Sequence, residues 1–260
     1  QAFKPISISL SPNTERDDVW LAFKLLFQPW RWKRGESVEQ LESEFARYLG
    51  VKYAFSFNSG RSALLAILNA LGLEKGSEVL LQAFTCNAVP NPVLWALRRQ
   101  DYGGQAGLKP VYVDCREDDY NIDPVDLERK LSSRSRAIIV QHTFGLPADM
   151  DKIVEICNRH SLILIEDCAH ALGAKYKGKL VGTFGRVSFF SFSRDKVISS
   201  VYGGMVATND PVLAQNIQTF QQEIGYPSLF WTLQQLFHPI LMNWLILPTY
   251  RIFGKYLMII

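Results

Sequence analysis

Three short segments of this 260-residue chain carry residue types that could do chemistry together. The first is Asn58-Ser59-Gly60-Arg61-Ser62, between an apolar run and a helical pattern. Glycine lets the backbone approach a ligand closely, and a helix N-terminus offers free N–H groups and partial positive charge. That suits a phosphate. Helix capping alone also explains Ser and Gly at such a junction. The second is Glu166-Asp167-Cys168-Ala169-His170, at the end of the apolar run Leu162–Ile165. A carboxylate there is costly to bury without a cationic partner, and a protonated pyridine nitrogen is one such partner. A helix cap or a structural ion pair is the competing reading. The third runs from Ser188 through Ser191 and Arg194 to Lys196, followed by Gly203-Gly204. A lysine held beside another cation, or desolvated, loses its proton more easily and can condense with an aldehyde. Arg194 could supply that charge or bind phosphate. A solvated loop lysine is the default alternative.

The elements that must position these residues alternate in period. Strand candidates are Glu78–Leu81, Pro110–Asp114, Ala137–Gln141, Leu162–Glu166, Val187–Phe192 and Gly204–Thr208, after a short apolar run at Tyr53–Phe57. Several are continuous apolar runs, as in strands buried on both faces. Between them lie helical patterns. Asp123-Pro124 and Asp210-Pro211 each offer an N-cap followed by an N1 proline, and Asp149 precedes another apolar-periodic stretch. Ser37 and Gln40 have capping-box spacing ahead of Leu41, Phe45 and Leu49. The alternation predicts an α/β fold, a mainly parallel sheet covered by helices in three α/β/α layers. The expected division is an N-terminal segment over 1–34, a large domain over 35–222, and an apolar helical segment over 223–260. The apolar end and the lack of an initiating Met read as a fragment.

Composition narrows the function classes. The net charge of +3, from 28 basic and 25 acidic residues dispersed along the chain, gives no footprint for nucleic acid. Cys86, Cys115, Cys157 and Cys168 show no CxxC spacing, which argues against a zinc site and fits a reducing, cytoplasmic setting. Residues 224–250 contain no Asp, Glu, Lys or Arg and are dense in aromatics and leucines, but Pro227, Pro239 and Pro248 interrupt them. Buried or subunit-interface helices, peripheral membrane contact and a membrane span are the three readings of this stretch.

The ordered motifs taken together resemble the DegT-type family of sugar aminotransferases, which has the aspartate-aminotransferase fold. The resemblance runs from about Gly35 to Asp210. It rests on Ser59-Gly60, Gly76-Ser77-Glu78-Val79, Val111-Tyr112-Val113-Asp114, Tyr120-Asn121-Ile122-Asp123, the run Phe144 to Asp151, Ile165 to His170, Phe190-Ser191-Phe192 and Gly203-Gly204-Met205-Val206. It implies pyridoxal 5'-phosphate as cofactor. Lys196 matches the lysine that bonds it as a Schiff base and shuttles the proton. Asp167 matches the carboxylate that pairs with the ring nitrogen, and His170 sits near the ring hydroxyl. Ser191 and the turn Gly60, Arg61 and Ser62 match the phosphate site. Two positions depart from the pattern. Arg61 stands where the family commonly has Thr, and Cys86 stands where an aromatic usually stacks on the ring, with Phe84 the nearest substitute. The resemblance further implies an amino-acid donor, glutamate, a nucleotide-linked keto-sugar acceptor, a homodimer and a C-terminal small domain that is largely missing from these 260 residues. Two alternatives stand beside this reading. One is a pyridoxamine-phosphate dehydratase, whose lysine is replaced by histidine. The other is a cofactor-binding regulatory or scaffold protein without turnover.

Overall fold

A computed structural model describes residues 14–33, 35–97, 107–249 and 252. Its residues divide into two compact units, one formed by 40–224 and one by 1–39 with 225–260.

The larger unit is built on a seven-stranded sheet. In chain order the strands are β1 (Tyr53–Phe57), β2 (Glu78–Gln82), β3 (Lys109–Val113), β4 (Ser135–Gln141), β5 (Ile163–Asp167), β8 (Val187–Ser191) and β9 (Gly204–Thr208), with a small hairpin of β6 (Lys175–Tyr176) and β7 (Lys179–Leu180) between β5 and β8. The spatial order is β1-β9-β8-β5-β4-β2-β3. Only β9 opposes the others, pairing antiparallel with both β1 and β8. The reason lies in the connections. Each crossover between parallel strands needs a long link, usually a helix. Residues 192–203 contain no helix, so the chain turns back on β8 and β9 returns the other way.

The strand interiors are apolar on both faces, and each face has its own helices. Val79, Leu81, Ile139, Ile165 and Phe189 pack with Leu64, Ile67 and Leu68 of α3 (Gly60–Ala70) and with Leu213 and Ile217 of α7 (Pro211–Ile224). Leu80, Ile138, Val140 and Leu164 face the other way, onto Leu127 of α5 (Pro124–Lys130) and Ile153 and Ile156 of α6 (Met150–His160). The result is the three-layer α/β/α arrangement that period-2 side-chain alternation dictates for a doubly covered sheet.

The caps behave as their chemistry requires. Asp123 accepts from the Val125 amide at 3.0 Å, Asp149 from that of Lys152 at 3.4 Å, and Asp210 from those of Val212 and Leu213 at 2.9 and 3.0 Å. The Ser37–Gln40 capping box does not form. Helix α2 (Glu36–Leu49) already includes Ser37, the Val38 amide bonds to the Gly35 carbonyl, and Gln40 Nε2 donates forward to Glu44 Oε1 at 2.8 Å. Several strand ends also move by one or two residues. β5 runs one residue later than expected, so Asp167 lies within it, and β8 stops at Ser191.

The smaller unit pairs α1 (Arg16–Leu26) with α8 (Leu229–Leu241) through Val19, Ala22 and Ile240. Pro239 lies inside α8, and a wide π-turn over Met242–Ile246 follows it. Among the described residues no helix is long and apolar enough to cross a membrane.

Candidate functional site

Parallel strands deliver their carboxyl ends to one edge of the sheet, and ligands of open α/β sheets bind there. Gln82, Gln141, Asp167 and Ser191 end β2, β4, β5 and β8 at this edge. The turn after β1 brings Ser59 and Gly60 there. The reversed β9 brings its first residues, and Ser59 bridges to Gly203. The packing is close enough to demand glycine. A Cβ on Gly204 would lie 2.4 Å from the Ser59 carbonyl carbon, and one on Gly60 would lie 2.9 Å from Ser191 Cβ and 3.3 Å from its Oγ. Two segments far apart in sequence are thus pressed into one cradle.

Ser59 caps α3, its Oγ accepting from the Ser62 amide at 3.1 Å. Ser62 Oγ donates to Asn58 Oδ1 at 2.8 Å. The Ala63 amide begins the helical ladder on the Ser59 carbonyl. The amides of Gly60 and Arg61 have no acceptor within the helix, as first-turn amides do not. They and Ser191 Oγ are the groups of this cradle with capacity for an anion. Ser62 turns its own donors inward. Arg61 is exposed on the first turn of α3.

Asp167 is 2% exposed, and its carboxylate accepts the Ala169 amide at 2.9 Å. Burial pushes it from 3.8 up to about 6, against the pull of that amide and of the charges of His142 and Lys196. Lys196 follows β8 in a turn closed by its amide on the Ser193 carbonyl at 3.1 Å. Its side chain is 14% exposed. Nζ lies 2.9 Å from His170 Nε2 and 3.6 Å from Asp195 Oδ2. Burial first, and then the Lys196 charge, hold the His170 imidazole below its ordinary range. A neutral imidazole accepting at Nε2 carries its proton on Nδ1, and that buried nitrogen has no protein partner. Arg194 lies over the Tyr202 ring, 5.9 Å from its centroid.

The structure therefore brings Gly60, Asp167, His170, Ser191 and Lys196 to one edge. Phe84 stands further out, 5.3 Å from Tyr120 and 6.0 Å from Phe144 between ring centroids. The Phe144 ring stacks parallel to the His170 imidazole, with centroids 6.0 Å apart and planes 8° from parallel. Cys86 is exposed. The other three thiols are raised by burial, Cys157 to about 12, so none is a ready nucleophile.

A second set of residues escaped the sequence reading. Glu166, the neighbour of Asp167, points to the opposite side of the strand and is fully buried. Its Oε1 accepts the amides of Phe184 and Gly185, each at 2.6 Å, and Oε2 that of Gly182 at 2.7 Å. His142 Nε2 stands 3.2 Å from Oε2, and His142 Nδ1 accepts the Ala148 amide at 3.2 Å, so Nε2 carries the proton. Glu166, His142 and Cys168 have donor atoms close enough for a metal ion, but these hydrogen bonds already engage the first two. The Glu166 side chain is thus held by amides and an imidazole N–H. Glu166→Ala strands three amides and an imidazole. Such a loss is expected to destabilise the protein by about 3–5 kcal/mol, read as a fall in the denaturation midpoint. The Glu-Asp pair signalled a costly carboxylate, but a nest of amides from 182–185 leaves no sequence signature.

Comparison with known proteins agrees with this geometry. Residues 15–228 match the DegT/DnrJ/EryC1/StrS aminotransferase family. The chain is 36% identical to GDP-perosamine synthase of Escherichia coli O157:H7 over 203 residues, 78% of this chain and 53% of that one. Its fold superposes on an aminotransferase from Psychrobacter cryohalolentis with a TM-score of 0.74 and 32% identity, over 84% of this chain and 53% of the other. It is also similar to the E. coli GDP-4-keto-6-deoxy-D-mannose-3-dehydratase with bound hydrated PLP, with a TM-score of 0.71 and 28% identity, over 82% and 54%. The chain spans about half the length of the curated relatives it matches. With the sheet order, the glycine-dependent cradle and a match covering most of its residues, the chain belongs to the DegT/DnrJ/EryC1/StrS aminotransferase family.

Proposed function

We propose that this chain carries the cofactor-binding part of a pyridoxal-phosphate aminotransferase, which moves an amino group from an amino acid, glutamate, to a nucleotide-linked keto-sugar. The observation that carries the reading is the meeting of Lys196, Asp167 and the Gly60–Ser191 cradle at one sheet edge. The residues fit the cofactor. Asp167 is a buried carboxylate whose raised pKa marks it as short of cationic partners, and a protonated ring nitrogen supplies one. The cradle admits no Cβ and offers amides and a hydroxyl suited to phosphate. His170 Nδ1 has no protein partner to compete for it.

When bound, pyridoxal phosphate supplies an aldehyde for an amine and a ring that draws electrons from the attached carbon. The chain's own residues do the rest. Lys196 Nζ would be the amine that holds the cofactor and the base that moves a proton at the donor's α-carbon. His170 Nε2 accepts a hydrogen from Nζ and keeps it from swinging to solvent. Asp167 would pair its carboxylate with the ring nitrogen, and Gly60, Arg61 and Ser191 would hold the phosphate. Lys196 favours the aminotransferase over the dehydratase reading.

Three further parts of the proposal concern the whole protein. Exposed Phe84, Tyr120, Val197 and Ile198 beside the site support a homodimer that covers them. Four free thiols support a cytoplasmic setting. Exposed Phe230 and Trp244 within a charge-free stretch support peripheral membrane contact through 224–250. The deciding experiment is borohydride trapping of the full-length protein with pyridoxal phosphate. We expect a single labelled peptide, at Lys196, and loss of label when glutamate is added first. Label spread over surface lysines, or none at Lys196, overturns the proposal.

A further inference from the structure

The turn 143–146 sits beside the site in a conformation that needs explaining. Phe144 has φ 52°, a left-handed backbone that bulky residues avoid, and Gly145 follows at φ 86°. Such a conformation persists only when its surroundings impose it.

Those surroundings are a buried polar clamp. Asn121, fully buried, spans the turn: its Oδ1 accepts the Thr143 amide at 2.9 Å and its Nδ2 donates to the Leu146 carbonyl at 3.2 Å. Both ends of the turn are therefore tied to one side chain. Thr143 Oγ1 is saturated. It accepts from Gln82 Nε2 at 3.0 Å and Gln141 Nε2 at 3.1 Å, and donates to the Tyr120 carbonyl at 3.1 Å. The turn touches the site at two points. Phe144 stacks on the His170 ring, and a Cβ at Gly145 would lie 3.2 Å from the His170 carbonyl oxygen. Through Nε2 the same imidazole meets Lys196 Nζ at 2.9 Å. Phe144 itself is 67% exposed, so this ring is not there to fill the core.

We infer that Asn121 and Phe144 are positioning residues, with Asn121 fixing the left-handed turn that lays Phe144 flat on His170 and so holds the imidazole against Lys196. Neither touches the reacting atoms. The inference rests on the proposed role of Lys196 for its purpose, but not for its test. If Phe144 shields one face of His170, the imidazole titrates low because of that cover. The charged groups acting on it are Lys196 and Asp195, and neither is altered by changing Phe144.

The test is histidine C2-hydrogen exchange across pH on the full-length protein without cofactor, read residue by residue by mass spectrometry. The chain has four histidines, and half-exposed His160, away from the turn, serves as the unmoved reference. In the wild type the His170 midpoint is expected below the ordinary value of about 6.5. Phe144→Leu and Asn121→Ser should raise it by about half a pH unit, toward that of a solvated imidazole. Phe144→Tyr, which keeps a stacking ring, should restore it. Phe144 is exposed enough for its variants to fold even where Asn121→Ser does not. A His170 midpoint unchanged in Phe144→Leu overturns the inference. So does an equal shift in Phe144→Tyr. Should Lys196 fail to take the borohydride label while His170 responds as described, the proposed chemistry falls and the clamp stands.

Discussion

Lys196→Ala is expected to reduce amino transfer by the full-length protein by more than about 10⁴-fold, without a comparable loss of folded protein. Two roles vanish with one amine: the group that condenses with the cofactor and the base that carries the proton. Proton transfer by a positioned side chain is by itself worth about 10²–10⁴-fold, and covalent attachment adds to it. The stability cost is small because Lys196 lies in a turn, and its contacts are to His170 and to Asp195, whose side chain is largely exposed. Initial rates with glutamate and a keto-sugar panel, beside a thermal melt, separate the two effects. Retention of even one per cent of the rate would show that another group does this work. An added primary amine that partly rescues the variant would support the role directly.

Asp167→Asn should separate function from stability in the opposite sense. Its carboxyl titrates at 3.8 when solvated and near 6 in the fold, chiefly because burial disfavours the charge. A raised acid pKa means the folded state binds more protons than the unfolded state between these values, so stability falls as pH rises through that window. The difference corresponds to about 3 kcal/mol against the cofactor-free fold above pH 6. Asparagine is nearly isosteric and carries no charge. Without cofactor, Asp167→Asn is expected to match the wild type near pH 4 and to exceed it by up to that amount at pH 7.5, read as a higher denaturation midpoint. With substrates it should lose about 10²–10³-fold in rate, because nothing then holds a proton on the ring nitrogen. A destabilised variant at pH 7.5 would mean that Asp167 already has the cationic partner it is argued to lack.

The strands of this protein were legible before its structure, and for a simple reason. Leu80, Ile138, Val140 and Ile165 are apolar on both sides of their runs because the sheet is covered on both faces, and that pattern is local. Asp123, Asp149 and Asp210 were equally legible as caps, since a cap acts within three residues of itself. The capping box at Ser37 failed at the same range. Gly35 lets the helix begin earlier, and spacing alone does not decide which start wins. The hairpin at 175–180 was missed because two strands of two residues carry no period.

Residue types by themselves determined what this chain could do: an amine at 196, a carboxylate at 167, and a turn at 59–62 whose glycine admits a phosphate. Only the tertiary structure decided that these are one site. Parallel strands set their carboxyl ends at a common edge, and β9 reverses to press Gly204 against Ser59. Phe144 stacks on His170 because Asn121, more than twenty positions earlier in the chain, ties down the turn that carries it. Glu166 is tied into the core by three amides of a distant loop. Hydrogen bonds from backbone groups depend on where the chain runs and not on which side chains it bears, so no reading of residue types could have foreseen them.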